Sequence, residues 1–197
     1  MKKIKADIYL ETKYPGVAVG AVLLERGTVL IDSPLKPEDS RDWLAQLKKA
    51  GASERRVLIN LDAHPDRTLG AQTLQAEAVA HRDTARQFRR RASIFEALKS
   101  DQFNRQGKTY SGLIGSRWGM PRVPYSEQTA LQFGDEPVRI EYHPGPHPGA
   151  SWALLPEAKV AFIGDTVSVG QPPFLAAADI EAWVESLDLL LSPAYKG

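Results

Sequence analysis

The stretch Val57-Leu58-Ile59-Asn60-Leu61-Asp62-Ala63-His64-Pro65-Asp66-Arg67-Thr68-Leu69-Gly70 decides how this chain folds. Val57 to Asn60 is a short run dominated by branched apolar side chains, which predicts a buried strand. Polar residues begin directly behind it. In open α/β sheets, ligands bind beyond the carboxyl ends of the strands. Asp62 and His64 are two residues apart, so in extended backbone their side chains leave on the same side. A carboxylate and an imidazole placed this way form half of a divalent-metal donor set. Pro65 restricts the backbone of His64 and helps hold it still. Asp66 adds a second carboxylate. Arg67 cannot give up its proton and so cannot be a ligand.

Upstream, residues 6–11, 17–24 and 28–31 read as strands, with Gly27 suggesting a hairpin between the last two. Asp32-Ser33-Pro34 breaks the pattern. A helix opens at Pro37, with Trp43, Leu44 and Leu47 as its apolar positions and Gly51 as its stop. Downstream, 68–75 reads as helical and 77–80 as a short strand, so the first half is β-β-β-α-β-α-β. Residues 83–101 read as a helix with Arg86, Arg89, Arg90 and Arg91 beside an apolar face of Phe88, Ile94, Phe95 and Leu98. A solvated face explains those arginines better than a phosphate or nucleic-acid site. Residues 104–126 lack a clear period and read as a long loop or lid. Its Tyr110, Trp118, Met120 and Tyr125 either line a pocket or pack the loop. Strands return at 130–133, 138–142, 152–155 and 159–163. A helix follows at 177–187, and a last strand begins at 189–191.

Two further site candidates lie in this second half. His147 sits in a loop, residues 143–149, stiffened by three prolines. Asp165 follows the apolar run Val160 to Ile163, with Gly164 allowing close backbone approach. Brought together, Asp62, His64, His147 and Asp165 offer two imidazoles and two carboxylates to one divalent cation. Three protein ligands with one position open make a catalytic site, in which a bound water drops in pKa to about 7. His143 reads as the end of a strand facing solvent, and His81 as structural.

Composition narrows the function classes. The chain of 197 residues, 43% hydrophobic and 25% charged, fits one domain over 1–197. Its net charge of +1 gives no global field for nucleic acid, an anionic membrane or acidic substrates. The absence of cysteine excludes disulfides, thiolate metal sites and cysteine nucleophiles. Met1-Lys2-Lys3 has no apolar stretch behind it, so no secretory signal is expected. No run approaches the roughly 18 apolar residues of a membrane span. The expected setting is the cytoplasm. There is neither a Gly-x-Ser-x-Gly elbow nor a phosphate-loop motif, which disfavours a serine hydrolase or a P-loop enzyme.

In these residues and their order the chain resembles the metallo-β-lactamase-fold hydrolase superfamily. That family carries His-x-His-x-Asp-His-x-x-Gly after a strand; here Asp62-Ala63-His64-Pro65-Asp66-Arg67-Thr68-Leu69-Gly70 stands in its place. Ala80-His81, His147 with Ser151 four residues on, and Phe162-Ile163-Gly164-Asp165 match later family features. The resemblance covers nearly the whole chain and implies a four-layer αββα sandwich. It also exposes departures. Asp62 replaces the first signature histidine and Arg67 the histidine after the signature aspartate. The family's last metal histidine has no counterpart in Pro193 to Gly197.

By that correspondence, one metal of the family's pair would rest on Asp62, His64 and His147. The other keeps only Asp66 and the former bridge Asp165, with Arg67 placing a positive charge near it. The resemblance therefore implies a hydrolase of a small-molecule substrate, with at most one divalent ion (zinc, iron or manganese). That ion would sit on Asp62, His64 and His147, helped by Asp165, while Asp66 orients or deprotonates the attacking water. The alternative is a pseudoenzyme, a binding or scaffold module with no metal, in which Arg67 is salt-bridged to Asp66 or Asp165 in the former metal site.

Overall fold

Short apolar strands separated by turn residues leave this chain one economical way to bury them, as two sheets face to face. The computed structural model describes residues 1–90, 119–170 and 172–195. Its first sheet has seven strands in sequence order: β1 (Lys2–Lys5), β2 (Ile8–Glu11), β3 (Val19–Leu24), β4 (Gly27–Ile31), β5 (Arg56–Asn60), β6 (Glu77–His81) and β7 (Val123–Tyr125). β1 to β4 pair antiparallel, with tight turns between β1 and β2 and between β3 and β4 and a longer loop between β2 and β3; β4 to β7 pair parallel. The second sheet has four antiparallel strands in the order β11-β10-β9-β8: β8 (Gln128–Leu131), β9 (Val138–Tyr142), β10 (Ser151–Leu155) and β11 (Val160–Phe162).

Side-chain alternation with period two assigns each strand residue to a layer. Ile8, Val22, Val29, Ile31, Ile59 and Val79 point inward and meet Val138, Ile140, Ala153, Leu155 and Phe162 of the second sheet. The alternate residues Tyr9, Ala21, Leu30, Leu58 and Ala78 point the other way, onto Trp43 and Leu47 of helix α1 (Pro37–Lys49). α1 starts with Pro37 and carries Glu38 and Asp39 in its first turn and Lys48 and Lys49 in its last, which suits the helix dipole. Helix α2 (Arg82–Arg90) continues directly from β6. Helix α3 (Ile180–Leu191) starts with the Asp179 side chain accepting from Ala182 N at 3.1 Å, and it flanks the second sheet. The result is a four-layer αββα sandwich. Among the described residues, no helix is long and apolar enough to cross a membrane.

The structure corrects several expectations. Leu189 to Leu191 ends α3 and is not a strand; an apolar run of three fits either state, and Asp179 had already started a helix that reaches it. Lys2–Lys5 forms an edge strand that its charge concealed. Val123-Pro124-Tyr125, inside the stretch read as loop, is the opposite edge strand, where a proline is tolerated. Residues 68–75 form only short 3-10 turns. Tyr125 is buried in the core between the sheets. His143 does not face solvent: its ring stacks on Trp152 with centroids 3.7 Å apart. Residues 91–101 of the stretch read as a basic helix, together with Tyr110 and Trp118, lie outside the described residues.

Candidate metal centre

Parallel pairing of β4 and β5 puts their carboxyl ends side by side, and the polar residues that follow them meet there. Asp32 follows β4 in a left-handed conformation, φ +55°, which aspartate tolerates better than most residues. Its Oδ1 accepts from Leu61 N at 2.9 Å, joining the two strand ends. Ser33 fixes the next segment: its N–H and hydroxyl both donate to the Arg67 carbonyl, at 3.0 and 2.9 Å. Asp62 Oδ1 accepts from His64 N at 2.7 Å, a side-chain turn that locks the Asp62–His64 geometry. Thr68 Oγ1 donates to the His64 carbonyl at 2.9 Å.

Arg67 lies at the centre of these groups. It is 5% exposed, and its guanidinium reaches residues far apart in sequence. One terminal nitrogen donates to Asp165 Oδ2, and Nε stands 3.4 Å from Asp62 Oδ1. Asp165 is held there by Gly164, whose φ of +56° turns the chain sharply after β11. Burial raises the Asp62 carboxyl, but Arg67, together with the hydrogen bond from His64 N, outweighs that and holds it below the usual carboxylate range. Asp32 has the opposite balance. Burial dominates over Arg67 and holds its carboxyl well above the usual range.

The loop that carries His147 is unusually well anchored. Its carbonyls at Pro144, Gly145, Pro148 and Gly149 accept from Ser186 Oγ, Asp179 N, Tyr142 Oη and Thr84 Oγ1 respectively, at 2.9–3.1 Å. Ser151 Oγ also donates to Gly149 O, and Tyr125 Oη donates to Ser151 Oγ at 2.5 Å. The His147 ring is different. It is 5% exposed, yet neither ring nitrogen has a hydrogen-bond partner among the described residues. Burial pushes its pKa down, against the pull of Asp62. The His64 ring is its neighbour, centroids 5.7 Å apart, and Phe174 packs over both, at 6.0 and 6.2 Å.

His64 Nδ1 faces Asp66 N at 3.3 Å and the Asp66 carboxylate at 3.8 Å. With Nδ1 accepting, the proton sits on Nε2. Presenting Nε2 to a cation requires that proton to leave and Nδ1 to carry one instead, toward Asp66. Asp66 also packs against the turn at Gly16, where a Cβ would stand 2.8 Å from Asp66 Oδ2.

Asp62, His64, His147, Asp165, Asp66 and Arg67 therefore share one region. Asp165 faces Arg67. As the side chains stand, no group of three or more His, Asp or Glu among the described residues has the spacing of a metal ligand set. The sequence reading missed Asp32 and Phe174. Asp32 had a signal, a polar residue at the carboxyl end of the apolar run Val29 to Ile31. Phe174 had none, lying in an irregular segment between Pro173 and Leu175.

Comparison with known proteins agrees with this architecture. A metallo-β-lactamase of Pontibacter korlensis superposes with TM-score 0.69 at 21% identity, over 99% of this chain and 86% of that one. A metallo-β-lactamase family protein of Thermus thermophilus gives 0.71 at 20% identity, over 98% and 72%. TTHA1623, solved in a di-iron-bound form, gives 0.64 at 23% identity, over 94% and 86%. These likenesses concern the fold. No curated protein matches the chain. The family model of the metallo-beta-lactamase superfamily matches residues 15–196. The chain belongs to the metallo-beta-lactamase superfamily, whose members are typically metal-dependent hydrolases.

Proposed function

We propose that this chain is a metal-dependent hydrolase of a small molecule that works with one divalent ion held by Asp62, His64 and His147. The observation that carries this reading is His147: a buried imidazole with neither nitrogen partnered among the described residues, on a loop whose carbonyls are anchored from several sides. Leaving buried polar atoms unpaired costs about 1–3 kcal/mol each, and such a cost is commonly tied to a ligand or a catalytic role. Two imidazoles and a carboxylate suit zinc, iron or manganese. Bound there, the ion would supply Lewis-acid polarisation of the electrophile. The chain's own groups do the rest. Asp66, beside His64 Nδ1, orients that ring and is placed to take a proton from water. Arg67 holds Asp62 and Asp165 in place. Phe174 excludes water from the two histidines.

Elemental analysis of protein purified without chelator, followed by zinc titration calorimetry, tests the proposal. One equivalent is expected in the wild type and none in His147→Ala, while His143→Ala keeps it. Protein without metal whose melting temperature ignores added zinc, iron and manganese would sink the proposal. One observation favours a second reading, a binding or scaffold module: Asp62 is already paired with Arg67. On that reading divalent ions change nothing, and Arg67→Ala destabilises the fold by leaving Asp62 buried and unpaired.

A further inference from the structure

At the amino ends of β5 and β6, on the face of the first sheet that also packs α1, lies a cleft of about 580 Å³. The length of β5, about 13 Å for its 5 residues, separates it from the candidate metal centre at the carboxyl ends. Its floor is apolar: Leu58, Ala71 and Ala78 are buried there, and Met120 is exposed at its rim. The rest of the rim is cationic. Arg55, Arg56 and Arg122 line it, against Glu77 as the sole carboxylate among the lining residues. Arg55 lays its guanidinium over the Phe133 ring, 5.2 Å from the centroid, which leaves its charge uncompensated. Arg122 meets Glu77 at 3.4 Å, but the two side chains are 77% and 58% exposed, so the pair is weak. Arg56 is half-buried, and its guanidinium has neither a hydrogen bond nor an ion pair among the described residues. Gln72 and Gln75 add two side-chain amides that also have no partner there. Gln75 is held at φ +51°, a left-handed conformation that glutamine rarely takes.

We infer that this cleft binds a small phosphate monoester, its phosphoryl group on Arg56 and Arg122 and its organic body over the apolar floor. Guanidinium forks match phosphate oxygens two at a time, and arginine stays charged at every physiological pH. Three arginines against one carboxylate leave an excess of two positive charges. A phosphate monoester is close to a dianion at neutral pH and balances that excess, whereas a carboxylate balances half of it. Half-burial of Arg56 lowers the local dielectric and strengthens its attraction for an anion. The buried floor gains by covering an organic body, and inorganic phosphate offers it none. The Gln72 and Gln75 amides can donate to or accept from polar edges of that body. The chain's net charge of +1 supplies no global field, so the attraction is local to this rim. The assignment does not depend on the hydrolase reading.

Calorimetric titration with phenyl phosphate tests the inference, in protein as purified and again with chelator present. One saturable site is expected under both conditions, with inorganic phosphate and benzoate each binding about tenfold more weakly. Arg56→Gln should weaken phenyl phosphate about tenfold, and Arg56→Lys, which keeps the charge but not the fork, about threefold. Glu77→Gln should tighten it by releasing Arg122. Arg139→Gln, which removes an exposed arginine of the second sheet, and His147→Ala, at the metal centre, should bind as the wild type does. Circular dichroism verifies the fold of each variant, and either substitution of Arg56 suffices. No saturable binding up to about 10 mM phenyl phosphate would overturn the inference. So would undiminished binding by a folded Arg56→Gln, or inorganic phosphate or benzoate binding as tightly as phenyl phosphate. Loss of binding in a folded His147→Ala would move the anion to the metal centre, and tighter binding of oligothymidylate would make the rim a nucleic-acid contact; either result also overturns it.

Discussion

Replacing Gly149 by alanine should unsettle the His147 loop, and the structure sets the size of the effect. A Cβ at this position would stand 2.1 Å from Thr84 Oγ1 and 2.5 Å from Thr84 N. Both are roughly 1 Å short of an ordinary contact of about 3.5 Å. The hydroxyl can rotate away, but it then gives up its hydrogen bond to the Gly149 carbonyl. The backbone nitrogen belongs to α2 and cannot move alone. Overpacking of this kind costs about 1–3 kcal/mol, and the lost hydrogen bond about 1 more. For a chain of this size each kcal/mol lowers the melting temperature by about 2–4 °C, so Gly149→Ala should melt roughly 4–16 °C below the wild type. Gly134→Ala is the control. Its Cβ would meet Leu24 Cδ2 at 3.5 Å, an ordinary contact, and should change stability by less than about 0.5 kcal/mol. The assay is thermal unfolding followed by circular dichroism, with urea denaturation to confirm that the slope is unchanged. Equal melting temperatures for the two variants would refute the steric argument and, with it, the view that α2 fixes the position of the His147 loop.

Asp32 and His81 offer two more tests. Because burial holds the Asp32 carboxyl well above its usual range, Asp32→Asn should cost less than about 1 kcal/mol: asparagine keeps the acceptor for Leu61 N and tolerates positive φ. Asp32→Ala loses both advantages and should cost about 2–4 kcal/mol in urea denaturation; equal losses would show that the charge, not the hydrogen bond, matters. His81 uses both ring nitrogens as a neutral ring, with Nε2 against Ser126 O at 2.8 Å and Nδ1 accepting from Asp83 N at 3.3 Å, and burial lowers its pKa. The unfolded chain therefore binds this proton more readily. The His81 contribution is complete above an unfolded pKa of about 6.5 and falls as pH drops through it toward the folded value. Melting temperatures between pH 7.5 and 5 should decline less steeply in His81→Gln than in the wild type; identical slopes would count against this assignment.

Much of the sandwich was legible in the chain because its strands carry their burial pattern locally. Val29 to Ile31 and Val57 to Ile59 are apolar at successive positions, as strands covered on both faces must be. β1 and β7 were not legible. Lys2–Lys5 is polar at all but one position, and Val123-Pro124-Tyr125 contains the residue least compatible with a strand; both are strands only because a neighbouring edge pairs with them. The end of α3 misled for the opposite reason, an apolar triplet without a sheet edge to join.

The residue types at the site and their order were set by sequence alone: Asp62, His64, Asp66 and Arg67 behind one buried strand, His147 in a proline-stiffened loop, Asp165 behind another strand. Their coincidence in one region follows from alternation and strand direction, which are local properties. Partner choice is not local. Arg67 and Asp165 are 98 residues apart, and nothing in the spacing says whether Asp165 meets a guanidinium or an imidazole. Only the packed sandwich brings the guanidinium beside both Asp62 and Asp165 and leaves both nitrogens of His147 without a partner among the described residues. Pairing between distant charges depends on distances and burial that exist only after the two sheets have closed on each other.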